Sequence, residues 1–189
     1  MAVLAGEGLS TPLVVVFTGV PGTGKSTLAD EIARDLGAPA VAWDWLVAGL
    51  TGFPDVQHVF EHMEPDTYRD VGYALMSQLV EKQLRNAQSV VLDCVVRERA
   101  RARWAGIAAD HGAPMFVIEC VCSDIDVHRS RVVGRTRAIP GWHELEWKWV
   151  EKSRQAYEPL QCEKLVLDAV DPLADNLARA RAYIKGDGA

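Results

Sequence analysis

Two periodicities alternate along the chain. Five short apolar runs, Leu13 to Thr18, Pro39 to Ala42, Ser89 to Asp93, Met115 to Val121 and Lys164 to Leu167, show little apolar–polar alternation. Strands covered on both faces of a sheet have this pattern. Longer stretches of helical period lie between and after them, at about Lys25 to Leu36, Pro65 to Asn86, Arg97 to His111, Asp124 to Gly134, His143 to Tyr157 and Pro172 to Ile184. Strand followed by helix, five times over, predicts an α/β fold with a parallel sheet and crossover helices. No repeat, low-complexity tract or linker interrupts the series, so residues 1–189 are expected to form one domain.

Composition agrees with that picture and narrows it. The 189 residues are 49% hydrophobic and 24% charged, enough to bury a substantial core. The net charge of −6 gives the whole molecule no electrostatic footprint for nucleic acid or an anionic membrane. Lys25 is the first basic residue and no apolar run approaches the roughly 20 residues of a membrane span, so neither a secretory signal nor a membrane anchor is expected. Cys94, Cys120, Cys122 and Cys162 contain no CxxC pair and no histidine at ligand spacing. Reduced thiols in the cytoplasm are therefore expected, rather than a zinc site or a disulfide scaffold.

One segment carries specific chemistry. Gly19-Val20-Pro21-Gly22-Thr23-Gly24-Lys25-Ser26 fits G-x-x-x-x-G-K-[ST] between a predicted strand and a predicted helix. Its glycines allow backbone N–H groups to turn inward around phosphate oxygens, and the helix N-terminus adds a favourable field. Lys25 is expected on the β- and γ-phosphates and Ser26 on Mg²⁺, with Thr27 packing nearby. The glycine spacing argues against a dinucleotide-binding sheet. No Asn-Lys-x-Asp guanine-reading sequence is present, which favours ATP over GTP.

Two carboxylates follow strands, where open α/β sheets place their ligands. Asp44 is a candidate base for a substrate hydroxyl, or an N-cap of the next helix. Asp93 closes Val90-Val91-Leu92 and is a candidate to hold Mg²⁺; it could instead meet the acceptor or bond neighbouring backbone N–H groups.

Residues 127–143 hold Arg129, Arg131, Arg135 and Arg137 without an acidic residue and predict a small helical lid. On a helix, Arg131 and Arg135 would share a face and bracket the transferring phosphoryl group. The run from Arg97 to Trp104 reads as an exposed Arg/Ala helix face, with Arg97 nearest a substrate. Aromatic residues from Trp43 to Tyr68, interleaved with acids, suit either an acceptor site for a neutral or cationic molecule or an ordinary core. Trp142, Trp147 and Trp149 read as core or hinge packing. His58 and His62 have i, i+4 spacing, but Val59 stands where a zinc-protease helix carries glutamate and no third ligand is evident, so no zinc site is expected.

The loop Gly19 to Ser26, Asp44, Val91-Leu92-Asp93 and the segment Arg129 to Pro140 together resemble small P-loop kinases of the AAA_33 type. Their relatives in fold include chloramphenicol phosphotransferase, polynucleotide 5′-kinase, gluconate kinase and zeta toxin. The resemblance spans about Leu13 to Ile184. It implies a three-layer P-loop NTPase fold with strand order 2-3-1-4-5, ATP with Mg²⁺, and phosphoryl transfer to a hydroxyl. It also implies Asp44 as the catalytic aspartate, Arg131 and Arg135 as lid arginines with Arg129 and Arg137 as competitors, and residues 167–172 as the loop over adenine. The expected function is a kinase for a small hydroxyl acceptor, of nucleoside, sugar or antibiotic class. A regulatory nucleotide switch and a polynucleotide kinase are the alternatives.

Overall fold

The computed structural model describes residues 11–186. Five parallel strands form its sheet: β1 (Val14–Thr18), β2 (Ala40–Ala42), β3 (Val90–Asp93), β4 (Met115–Val121) and β5 (Leu165–Asp168), in the order β2-β3-β1-β4-β5. This is the order that the resemblance implies.

The central strands are apolar on both faces because each face meets helices. Val14 and Val16 of β1 and Val90 and Leu92 of β3 pack with Tyr73, Met76 and Val80 of α4 (Pro65–Arg85) and with Trp104 of α5 (Glu98–Asp110). Val15, Phe17 and Val91 point the other way, into a cluster with Leu28 and Ile32 of α1 (Lys25–Leu36) and Leu177 and Ile184 of α8 (Leu173–Lys185). Period-two side-chain alternation thus divides each strand between two cores of one three-layer structure.

Three further helices complete the frame around the site: α2 (Trp43–Thr51), α3 (Pro54–Glu61) and α6 (Ile125–Val132), followed by α7 (Trp147–Gln155). A helix after Asp44 is expected only if that residue is an N-cap, and α3 has no sequence expectation behind it; α2 starts at Trp43, before Asp44. Helix α2 starts directly from β2 with Ala42 at its N-cap and no side-chain cap, and α3 follows Phe53 without a side-chain cap and buries no residue, so capping signals are weak apart from Pro54 at the start of α3.

The lid differs from its expected form. Helix α6 ends at Val132, and residues 133–146 are irregular before α7 begins at Trp147 rather than near His143. Asp124 caps α6 by accepting from the N–H groups of Asp126 and Val127, which fixes its start next to β4. Gly134 in the left-handed region and Pro140-Gly141 account for the loop after it.

Trp104 is fully buried, and its indole N–H donates to Ser77 Oγ at 3.0 Å. Trp104→Ala is expected to cost about 3–5 kcal/mol of unfolding free energy in urea titrations. Gly106, on the same helix with open space at its Cβ position, is expected to gain about 0.5–1 kcal/mol on substitution by alanine.

Candidate active site

β1 must turn into α1 within six residues, and its last backbone position explains how. Gly19 has φ +140°, and a Cβ there would lie 2.1 Å from the carbonyl oxygen of Cys120 on neighbouring β4. Only glycine lets the loop leave the sheet against that strand. Thr23 then staples the turn, its buried hydroxyl donating to the Val20 carbonyl at 2.9 Å. From the lid side, the ring of His128, 1% exposed, places Nε2 2.8 Å from the Pro21 carbonyl. Nε2 is therefore the protonated nitrogen, donating to that oxygen. Trp147 at the start of α7 packs edge-on against His128, with ring centroids 5.2 Å apart. Sequence reasoning passed over His128, because a single histidine among arginines gives no spacing signal.

Register places the carboxylates. Asp93 lies beside Phe17 of β1 on one side and Ala42 of β2 on the other, so Asp44, two residues beyond Ala42, begins the same carboxyl edge. Lys25 and Asp93 are both buried, with Nζ and Oδ1 3.7 Å apart, an ion pair longer than a hydrogen bond. Asp93 Oδ1 has no hydrogen-bond partner. A buried, unsatisfied carboxylate oxygen is costly unless a cation meets it. The donor set of Asp93 and the Ser26 hydroxyl fits a hard, oxygen-preferring cation such as Mg²⁺.

Asp44 sits in the first turn of α2 and makes no N-cap hydrogen bond. It forms an ion pair with Arg137 of the lid loop, and both side chains are largely buried. The capping alternative is thereby removed. The phenol of Tyr68 lies close enough that burial first, and the Asp44 charge second, push its pKa up to about 12.

Two cavities meet at this ion pair. One, of about 290 Å³, is lined by Pro21, Gly22, Gly24, Lys25, Ser26 and Thr27 of the loop and by Arg131, Arg135, Arg137 and Glu144 opposite. The other, of about 510 Å³, includes Trp43, Asp44, Tyr68, Arg69, Trp142 and Trp149 in its wall. Arg131 and Arg135 do share a cavity wall, but not a helix face: Arg135 lies three residues past the end of α6. Among the described residues neither has a carboxylate within ion-pair distance, whereas Arg137, expected only as a competitor, holds Asp44. Arg129 is exposed and does not line either cavity. Glu144 shapes the lid loop by accepting from the Arg137 N–H at 2.8 Å.

A third cavity, of about 200 Å³, adjoins the loop and is lined by Thr23, Gly24, Thr27, Arg131, Ala169, Asp171 and Asn176. It places part of the expected adenine loop next to the phosphate loop. Trp142 packs on Trp43 and Trp147 on His128, as expected, whereas Trp149 is 54% exposed and not core; Trp142 and Trp149 also line the cavity at Asp44. The expectation that His58 and His62 lack a third ligand also fails: the exposed His58, Glu61 and His62 bring their ligand atoms within 4.8 Å of one another. Gln57 occupies Glu61, and the His58 carbonyl occupies His62 Nδ1. In the other basic run, Arg97 pairs with Glu158, Arg99 with Asp66 and Asp70, and Arg101 with Glu98, so three of its four arginines are paired with neighbours.

With this geometry in place, comparison with known proteins gives a family. The AAA_33 family model, described as an AAA domain, matches residues 14–160. The chain belongs to the AAA_33 family. Its fold is the kinase-like P-loop fold, shared with an unliganded sugar kinase from Janibacter sp. HTCC2649 at 16% identity and a TM-score of 0.66, covering 92% of this chain and 95% of that one. A gluconokinase from Sinorhizobium meliloti 1021 matches at 20% identity and TM-score 0.64, covering 94% and 98%. The APS kinase CysC of Mycobacterium tuberculosis, in complex with AMPPNP and APS, matches at 16% identity and TM-score 0.66, covering 93% and 98%. A search of curated proteins finds no match to this AAA_33 chain. Among the described residues no helix is long and apolar enough to cross a membrane.

Gly19→Ala is expected to abolish tight nucleotide binding, because the new Cβ collides with backbone rather than with a movable side chain. Calorimetric titration with ADP and Mg²⁺ checks this, with at least about a hundredfold loss expected, or about 2.7 kcal/mol. Binding within threefold of wild type would show that the loop does not hold phosphate in this conformation.

Proposed function

We propose that the protein is an ATP-dependent kinase that transfers the γ-phosphoryl group of ATP to the hydroxyl of a small molecule. The observation that carries this reading is the meeting of two cavities at Asp44: one built from the phosphate loop and free arginines, the other holding a carboxylate in an aromatic wall. A nucleotide switch needs only the first. A kinase needs both, with a proton acceptor between them. The sugar kinase and gluconokinase similarities support the same reaction class.

Loop N–H groups and Lys25 hold the β- and γ-phosphates, and the cavity bordered by Ala169, Asp171 and Asn176 receives the nucleobase. Ser26 and Asp93 would hold Mg²⁺, which when bound neutralises charge on the phosphates. The γ-phosphate draws Arg137 away from Asp44, because a phosphate dianion in a cavity of arginines competes well for a guanidinium. Asp44 is then free to accept a hydrogen bond from the acceptor hydroxyl. As the acceptor oxygen bonds to the γ-phosphorus, the bond to the β–γ bridging oxygen breaks and its electron pair leaves with ADP. The acceptor proton passes to Asp44. Arg131, Arg135 and Arg137 spread the charge on the transferring group. Closing α6 and its loop over the site excludes the water that would otherwise take the phosphoryl group. The four cysteines are free thiols, in keeping with a cytoplasmic protein that acts as one domain on a small-molecule partner.

Acceptor-dependent ADP release should fall by at least about a hundredfold in Asp44→Asn, with nucleotide affinity unchanged within about threefold. A slow ADP release that no acceptor raises, and that survives Asp44→Asn, would favour the regulatory ATPase reading instead.

A further inference from the structure

In the cavity at Asp44 several polar side chains are already engaged within the protein, and the Tyr68 hydroxyl and His143 ring remain beside Asp44. The Tyr73 hydroxyl donates to the Val95 carbonyl at 2.5 Å, the Ser153 hydroxyl to the Trp149 carbonyl at 2.9 Å, and the Trp43 indole N–H to the Arg69 carbonyl at 3.2 Å. Arg69, a cation in its wall, donates to Asp66 at 2.8 Å. A polyhydroxylated sugar has more hydroxyls than these groups can satisfy, and Arg69 already shares its charge with the exposed Asp66.

What the wall offers instead is ring surface. Trp43 is the hub, packed edge-on against Tyr68 at 5.2 Å and Trp142 at 5.9 Å between centroids. Gly72 of α4 makes this possible: a Cβ there would lie 1.9 Å from Trp43 Nε1, so the indole lies directly on the helix backbone. The rings are therefore rigidly held. Trp149 lines the same cavity and is 54% exposed, so its ring surface is open to a ligand there. The indole N–H of Trp142 is buried without a hydrogen-bond partner.

We infer that the acceptor is a neutral alcohol carrying a flat aromatic or heteroaromatic ring, bound against Trp142 and Trp149 with its hydroxyl at Asp44. The inference rests on the kinase reading for its reaction and on the cavity wall for its ligand. Ring stacking provides affinity that does not depend on spent polar groups. Nucleosides and aryl-substituted alkanols share this chemistry.

The test uses the full chain with Mg²⁺, saturated with a non-hydrolysable ATP analogue for binding, so that added compounds report on the second cavity, and supplied with ATP for transfer. Thymidine and uridine form one arm and phenyl-substituted alkanols the other, with glucose, glycerol and gluconate as the contrasting polar set. Quenching of tryptophan fluorescence reports binding, and ADP release from ATP reports transfer. At least one ring-bearing arm is expected to quench and to be phosphorylated, with the polar set at least about tenfold poorer in kcat/KM. Trp149→Ala, at an exposed position, is expected to raise KM for the ring compound about tenfold and leave kcat within about twofold. Phosphorylation of glucose or gluconate in preference to every ring compound overturns the inference and leaves the kinase reading standing. Ring compounds that bind through Trp149 but receive no phosphoryl group leave the cavity assignment standing and overturn the kinase reading. Absence of both binding and transfer overturns both.

Discussion

The structure depends on a crowding of charge at the carboxyl edge of its sheet. Parallel strands bring their ends to one side, and here β3 delivers Asp93 in the row of Phe17 and Ala42, with the phosphate loop starting, and Asp44 lying, two residues beyond that row. Lys25 and Asp93 are buried there together, 3.7 Å apart. Their pairing lowers the cost of burying each, without the short hydrogen bonds that would satisfy either. A site held in this way is primed for ligands that complete its charge: phosphate for Lys25, a cation for Asp93. The two apolar cores above and below the sheet keep that edge in place and take no direct part in its chemistry.

The Asp44–Arg137 pair extends the same logic across the lid. It ties the loop after α6 to the start of α2 and separates the nucleotide cavity from the aromatic one. In the proposed reaction one arginine serves two partners in turn, the carboxylate in the free enzyme and the phosphate in the complex. The carboxylate is thereby masked until nucleotide arrives. The lid owes its position to His128 as well, whose ring reaches from α6 to the Pro21 carbonyl and is backed by Trp147.

Much of this was legible in the sequence because it rests on local signals. The eight-residue loop motif, the strand runs and α1 depend on glycine placement and short-range periodicity, and Met115–Val121 and Lys25–Leu36 have the bounds that the pattern predicts. What was not legible depends on long-range contact. Arg137 sits 93 residues from Asp44, so no spacing distinguishes it from Arg129 or Arg135. The helix expected over Asp124 to Gly134 already ends before Arg135, so the shared helix face of Arg131 and Arg135 went beyond that signal. The tryptophans of the lid and α7 looked like packing because apolar residues give the same signal whether they meet a core or a ligand. Helices α2 and α3 lack side-chain caps, one of the features by which short helices are recognised.

The central claim is that phosphoryl groups pass from the first cavity to an alcohol in the second rather than to water. Phosphorus-31 NMR of the enzyme with ATP, Mg²⁺ and mixed neutral alcohols measures that partition directly. The account predicts that a phosphate monoester resonance grows in step with ADP and that inorganic phosphate stays a minor product. Inorganic phosphate growing in step with ADP, with no monoester at any alcohol concentration, would contradict it.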